Sequence, residues 1–372
     1  MTSSAVNYAK DIARRLLGCG RRVHEQYALA RSKLAIDARL LGPAKTVALI
    51  GCGVQGGTIA RAIKLLPGWR LATIFDLKQD TADRIRTELW PETEVSLSDD
   101  AFWKAATAAD VVAIATTAPS HFALATRAIE SGARAVLLEK PVTNRLADAD
   151  RLLETSAKRG CQMAVDHTRR YLPSAQGLKR LLSQEIVGRP RSASYLSGRA
   201  GFAMIGTHLF DMARWLFDSE IVKLRAELDD EVHPFDRGTH FVDHAGRCEA
   251  RLANGVRLSL DLSGDLPLKQ QLLVVACDRG RFEVDEQRGK IRLVGAGVHT
   301  WDSDYLVSAN LELTIARALL ELGQGKPPRC SLADGRAALE AAIACQVSAR
   351  EGSRWVELPL MNGLREERFP FA

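Results

Sequence analysis

Residues 45–56 read KTVALIGCGVQG, and this stretch decides the fold. A short β-branched run, Val47 to Ile50, closes in Gly51-Cys52-Gly53-Val54-Gln55-Gly56, and the next ten residues, GTIARAIKLL, have helical spacing. A lone G-x-G-x-x-G is a weak signal. Here it follows a predicted strand, opens a predicted helix, and is answered by Asp76, which closes the next strand 20 residues beyond Gly56. Those are the conditions of a dinucleotide-binding βαβ unit. Gly51 makes the tight turn, Gly53 lets backbone approach a pyrophosphate, and Gly56 permits close packing of the helix. Val54 and Gln55 begin that helix, whose free N–H groups face the phosphates. Asp76 would accept hydrogen bonds from ribose hydroxyls and repel a 2′-phosphate, so NAD is favoured; Lys78, two residues on, leaves room for NADP.

Strand and helix patterns alternate five times between 45 and 167, and the strands are almost continuously apolar. That texture predicts a doubly wound parallel sheet, a Rossmann domain over 45–166. After about residue 175 the pattern changes to period-2 spacing with hairpin turns, Ala253-Asn254-Gly255 and Asp278-Arg279-Gly280 among them. Residues 167–372 are therefore expected to form an α+β domain on an open antiparallel sheet, with helices at 206–217, 307–323 and 332–350. Residues 1–44 read as a helical N-terminal extension, broken near Gly18-Cys19-Gly20 and ended by Gly42-Pro43.

The bulk numbers exclude several classes. Apolar residues make up 46% and charged residues 26% of the 372, the balance of a globular protein. The apolar runs fall far short of the roughly 18–20 residues that span a bilayer, so no membrane partner is expected. Residues 1–44 carry eight Lys/Arg against three acids, +5 of the net +6. The basicity thus belongs to the extension, and without interleaved aromatics it does not point to nucleic acid. Arg14-Arg15 has no apolar run behind it, so no export signal is expected. Seven cysteines without a C-x-x-C predict reduced thiols, a cytoplasmic location and no metal centre.

The stretch 137–143, LLEKPVT preceded by Val136, carries Lys140 to the end of a buried strand and fixes the exit with Pro141. The carboxyl ends of such strands line the ligand crevice. An amine desolvated there beside a cationic nicotinamide loses basicity, which suits a group taking an alcohol's proton as hydride leaves its carbon. A surface lysine after a strand fits position alone equally well. His208 and Asp211, three apart on a predicted helix, share a face; an imidazole there suits a proton relay with Lys140.

With the glycine fingerprint 88 residues upstream, Glu139-Lys140-Pro141 resembles the glucose–fructose oxidoreductase / inositol dehydrogenase (Gfo/Idh/MocA) family. ATTAPSHFALATRAIESGARAVLLEKPV, HTRRYLP (167–173), GTHLFDMARWLF and DGRAALEAAIACQVSAREG are each similar to a segment of that family, and the likeness runs from 45 to about 360. It implies a metal-free NAD(P)-dependent oxidoreductase of sugars, cyclitols or sugar derivatives, nucleotide-sugars included, that assembles as a homodimer or homotetramer through the second sheet. It implies catalytic roles for Lys140 and His208, and cofactor contacts from Thr117, Pro119, His121 and Glu139 beside Lys140 and the glycine loop. Arg169, Arg170 and Tyr171 would meet substrate, anionic groups above all, with Asp211 on a hydroxyl; internal ion pairing is the competing reading for the arginines. Two positions depart from the pattern. Thr168 stands where asparagine is usual, and Met204 where many relatives place an aspartate four residues before the histidine; Asp166 and His167 are candidate substitutes. Trp301 and Tyr305 are expected in a polar loop over substrate. Two rivals remain: a lyase or glycosidase using NAD transiently, and a non-catalytic cofactor-binding sensor or scaffold.

Overall fold

The computed structural model describes residues 44–371 apart from Arg199, 233–240, 265–270, 287–289, 296–297 and 305–310; side chains at 231–232, 298–304 and 362 are also outside the description. The expected extension over 1–44, all but Ala44, and Tyr305 therefore lie outside the described residues, and of Trp301 only the backbone is described.

The chain runs β1 (Lys45–Ile50), α1 (Val54–Lys64), β2 (Trp69–Phe75), α2 (Gln79–Glu88), β3 (Glu94–Val95), α3 (Asp99–Ala106), β4 (Val111–Ile114), α4 (Ala118–Glu130), β5 (Ala135–Leu138), α5 (Leu146–Arg159) and β6 (Gln162–Val165). These six strands form one parallel sheet in the order β3-β2-β1-β4-β5-β6, the doubly wound order in which a crevice opens where the sequence of strands reverses. Both faces are covered, so the strands are apolar throughout. Val47 and Leu49 pack with Ile59 and Ile63 of α1; Ala48 and Ile50 pack with Phe102 and Trp103 of α3.

The second half continues with α6 (Pro173–Ser183), β7 (Pro190–Leu196), α7 (Thr207–Phe217), β8 (Ile221–Val232), β9 (His244–Leu252), β10 (Arg257–Asp261), β11 (Leu272–Cys277), β12 (Gly280–Asp285), β13 (Lys290–Gly295), β14 (Val298–Asp304), α8 (Leu311–Gly323), α9 (Leu332–Arg350) and β15 (Val356–Glu357). Nine strands make a second sheet, β14-β13-β12-β11-β7-β10-β9-β8-β15. Its pairs are antiparallel except β7 with β10, which run parallel because the 60-residue excursion through α7, β8 and β9 returns the chain beside β7 in the same direction. In β9 burial alternates: Cys248, Ala250 and Leu252 are buried while Arg247 and Glu249 face out. Trp301, expected in a loop, lies in β14 opposite Leu293.

α8 leaves the second sheet and packs on the first: Ile315 and Leu319 share a core with Val47, Leu49 and Ile59. Val165 N donates to Cys330 O at 3.1 Å and Ala164 bridges to Ser331, so the start of α9 is seated beside β6. Ser331 and Asp334 cap that helix reciprocally. Among the described residues no helix is long and apolar enough to cross a membrane.

Candidate active site

The loops leaving the parallel strands start level with one another. Gly51 N donates to Phe75 O (2.9 Å), Ala115 N to Ile50 O (2.8 Å), Glu139 N to Ile114 O (2.9 Å) and Asp166 N to Leu138 O (2.9 Å). Each exit residue is thus still tied to the neighbouring strand, and the residues after it fan out along one carboxyl edge.

The glycine loop is built to receive a dinucleotide. Gly51 has φ +90°, and a Cβ there would meet Ala115 backbone at 2.6 Å. A Cβ on Gly56 would sit 2.0 Å from Gly51 O, so α1 can approach the turn only as glycine. Gly53 opens onto empty space and Val54 is 87% exposed at the start of α1. Asp76 accepts from Cys52 N (2.7 Å) on one oxygen and from Lys78 N (2.8 Å) on the other, which fixes the carboxylate with lone pairs to spare for ribose hydroxyls. These residues fit an NAD. Gln55 departs from its expected place: it turns inward, and its Nε2 donates to Asp166 Oδ2 at 2.7 Å. Thr117 and Pro119 begin α4 at the same edge, Pro119 exposed.

His121 is a correction. It is fully buried, its Nδ1 facing Pro141 O at 2.8 Å and its Nε2 facing Thr116 O at 3.2 Å. Burial lowers its pKa, so the ring is neutral and donates its single N–H to one of these carbonyls. The ring therefore braces the exits of β4 and β5 behind Lys140, and both nitrogens face backbone rather than the cofactor edge.

Lys140 is 8% exposed and its N–H donates to Glu139 Oε2 at 3.0 Å. Its ammonium charge bears on Asp166, His167, His208 and Asp243, which come from three separate parts of the chain. The rings of His167 and His208 meet edge to face, centroids 5.0 Å apart. Burial, then the nearby cations Lys140 and Arg170, push His167 far below its ordinary pKa; burial, then His167, Lys140 and Arg169, do the same to His208. Both are neutral imidazoles at pH 7. His167 Nε2 and His208 Nδ1 are buried polar atoms without a partner among the described residues. Asp166 is pushed the other way: burial, then the charge of Glu139, raise its pKa far above the usual carboxylate range.

The expected substrate contacts of Arg169, Arg170, Tyr171 and Asp211 turn inward instead. Arg169 Nη1 donates to Tyr195 Oη and Glu286 Oε2, both at 2.5 Å. Arg170 forks onto Asp211, Nε to Oδ2 at 2.8 Å and Nη2 to Oδ1 at 2.6 Å, and adds Asp334 at 3.0 Å. Tyr171 donates to Glu321 at 2.5 Å. The reason is burial: a guanidinium 5% exposed, as Arg170 is, keeps its charge only with carboxylates against it. Sequence reasoning also missed Cys330, whose Sγ lies 3.5 Å from Asp211 Oδ1 and 3.8 Å from His167 Nδ1. His167, Asp211 and Cys330 are close enough to clasp a metal ion. Arg170 already occupies both oxygens of Asp211, so the cation of this cluster is the guanidinium. The other residue missed is Asp243, buried immediately before β9 with its carboxylate against the backbone of 203–204.

Comparison with known proteins gives the family. Residues 45–167 match the family model of an oxidoreductase family with an NAD-binding Rossmann fold (GFO_IDH_MocA), and 177–283 match the GFO/IDH/MocA C-terminal domain. Inositol 2-dehydrogenase 1 of Saccharopolyspora erythraea is 27% identical over 247 residues, 62% of this chain and 67% of that protein. D-apiose dehydrogenase of Paraburkholderia graminis is 30% identical over 198 residues, 48% of this chain and 51% of that one. The aligned part thus spans between half and two thirds of these relatives. An oxidoreductase from Agrobacterium radiobacter, solved with NAD+, L-tartaric acid and magnesium, superposes with a TM-score of 0.74 at 21% identity over 84% of this chain and 98% of its own. UDP-N-acetylglucosamine 3-dehydrogenase from Acidithiobacillus ferrooxidans gives 0.71 at 22% identity, over 83% and 99%. At such identities these two speak for the fold. With the glycine cradle, the strand-end lysine and both halves of the chain accounted for, the chain belongs to the GFO/IDH/MocA family of oxidoreductases.

Proposed function

We propose that the protein is an NAD-dependent dehydrogenase that oxidises, or in reverse forms, a secondary alcohol of a neutral sugar or cyclitol. The observation that carries this reading is Lys140, delivered by β5 to the edge that holds the glycine cradle and within charge reach of two neutral imidazoles from β6 and α7. Bound NAD supplies the acceptor for hydride. Gly51, Gly53, Gly56 and the first turn of α1 would hold its phosphates, and Asp76 its ribose. The protein's own part is proton handling and orientation. Lys140 Nζ, as the free amine, takes the hydroxyl proton; His208, kept neutral by burial, accepts a hydrogen bond or a proton from the same hydroxyl or from the ammonium. His121 and Pro141 fix the level from which the amine is aimed.

A neutral substrate is favoured over a nucleotide-sugar or uronate because Arg169 and Arg170 are committed to Glu286, Asp211 and Asp334. The outer face of the nine-stranded sheet, where Glu249, Arg257 and Ser259 are exposed, is the surface through which we infer a homodimer or homotetramer; light scattering tests it.

The activity test is a panel of sugars, cyclitols and nucleotide-sugars with NAD or NADP, following reduced nicotinamide. Lys140→Ala should cut kcat by at least about 100-fold while NAD binding by calorimetry changes less than about threefold. Undiminished turnover in that variant would remove Lys140 from the chemistry. Product formation without net reduced nicotinamide would favour transient redox in a lyase or glycosidase.

A further inference from the structure

We propose that His167 is a positioning residue for His208: held by Cys330 with its proton on Nδ1, it offers a bare Nε2 to the Nδ1–H of His208, which leaves His208 Nε2 as the acceptor facing the cleft. The inference rests on reading His208 as a proton acceptor for substrate; the ring geometry does not. The two rings meet edge to face, centroids 5.0 Å apart and planes at 68°. His167 is 1% exposed, and its backbone N donates to Val165 O at 2.7 Å at the exit of β6. His208 comes from the first turn of α7. Each ring has one sealed nitrogen with no hydrogen-bond partner among the described residues, Nε2 in His167 and Nδ1 in His208. His208 is only partly buried, so Nε2 is the nitrogen it turns to the cleft. A buried polar atom left unpaired is costly. Two of them on touching rings are satisfied together by one proton shared between them, directly or through a single water.

The tautomer follows from what stands behind His167. Asp211 takes both arms of the Arg170 fork, Nε on Oδ2 at 2.8 Å and Nη2 on Oδ1 at 2.6 Å. Burial alone would raise the pKa of this carboxyl, and the guanidinium opposes that; a two-armed fork belongs to an ionised carboxylate. An ionised carboxylate has no proton to give. The contact of Cys330 Sγ with Asp211 Oδ1 at 3.5 Å is therefore made by the S–H. A thiol has one proton, so toward His167 Nδ1, 3.8 Å away, the sulfur only accepts and Nδ1 is the donor. A neutral imidazole has a single N–H, and Nε2 is left bare. The same rule then sets His208: with the proton on Nδ1 committed to His167, the lone pair stands on Nε2. When Nε2 takes a proton from a substrate hydroxyl, the O–H bond breaks, an N–H bond forms, and the cationic ring already has an acceptor for its other N–H. The order Arg170, Asp211, Cys330, His167, His208 thus runs from a buried ion pair to the cleft, and each member fixes the proton of the next.

Two rings that merely pack would show the same contact, so the test reads the protons. In the full chain labelled with nitrogen-15 histidine, long-range proton–nitrogen correlation at neutral pH tells the bare from the protonated nitrogen in each of the eight histidines. His167→Phe and His208→Gln assign the two signals. Both rings should be neutral with the proton on Nδ1, the form a solvated imidazole disfavours. Cys330→Ala should release His167 to mixed tautomers. His167→Phe should release His208 in the same way, while His167→Gln, whose amide oxygen is again an acceptor, should keep the His208 proton on Nδ1. A proton on Nε2 of either ring in the wild type would overturn the proposal. So would a His167 indifferent to Cys330→Ala, or a His208 indifferent to His167→Phe. The wild-type spectrum needs neither a variant's folding nor a substrate. Absence of turnover across the substrate panel would count against the dehydrogenase reading and leave the tautomers where they are.

Discussion

At the residue scale, Arg170 shows how burial dictates pairing. It is buried, bidentate to Asp211, in contact with Asp334 and donating to Arg329 O at 2.6 Å. Removing it strands a carboxylate that is 1% exposed. Arg170→Met should lower stability by about 3–5 kcal/mol in urea unfolding; a loss under about 1 kcal/mol would mean that Asp211 finds water or a proton at little cost. Asp243 is expected to behave in the opposite way. Its folded pKa of about 6 lies above the ordinary 3.8. Proton binding therefore favours the native state, a contribution complete below about pH 3.8 and lost as pH rises through 6. Ionised above that, the buried carboxylate costs about 3 kcal/mol. Asp243→Asn should accordingly gain about 2.5 kcal/mol on the wild type between pH 4 and pH 7.5, the difference read from paired denaturation curves. A constant difference across that range would show that the carboxylate is ionised in both states, its pKa not raised by burial.

At the scale of elements, the glycine turn is the joint on which cofactor binding hangs. Gly56→Ala would drive a methyl into Gly51 O, forcing α1 off the turn. Overpacking of this kind costs about 1–3 kcal/mol, and NAD affinity should fall at least about tenfold in calorimetry. Binding that survives intact would separate the helix from the phosphate site. This joint was legible in the sequence, because a fingerprint of glycines followed by Asp76 has few other uses. The buried parallel strands were legible too, since strands covered on both faces read as apolar runs. What escaped was short or non-local. β3 is two residues long, and α3 is a single stretch of 8, with too few periods to announce themselves. The parallel pairing of β7 with β10 is a fact of topology that alternation cannot encode. Arg169 and Arg170 looked available because their partners, Glu286 and Asp334, lie 117 and 164 residues away. Asp243 was hidden for the same reason: the backbone N–H groups it accepts from, on Ala203 and Met204, lie 40 and 39 residues away.

Over the whole molecule, the two sheets are tied by more than a linker. One core cluster runs from Ala48 and Ile50 through Val142 and Leu146 to α6, α7, α9 and the second sheet, and α8 returns to cover α1. A fragment of residues 44–167 would leave Val47, Leu49 and Ile59 without Ile315 and Leu319, and should not unfold cooperatively by circular dichroism. A cooperative, NAD-binding fragment would show that α8 is dispensable packing. The same ties explain how an active site can be shared: β5 and β6 bring Lys140 and His167, and α7 brings His208, each anchored in a core common to both halves. The claim on which all of this turns is that one amine is held at the reactive end of the bound dinucleotide. A crystal structure of the protein with NAD tests it most directly. Lys140 Nζ is expected on the nicotinamide side of the cleft with His208 beside it, near enough to share a hydroxyl; a nicotinamide whose reactive carbon lies more than about 8 Å from that nitrogen, beyond even a water-bridged proton path, would contradict it.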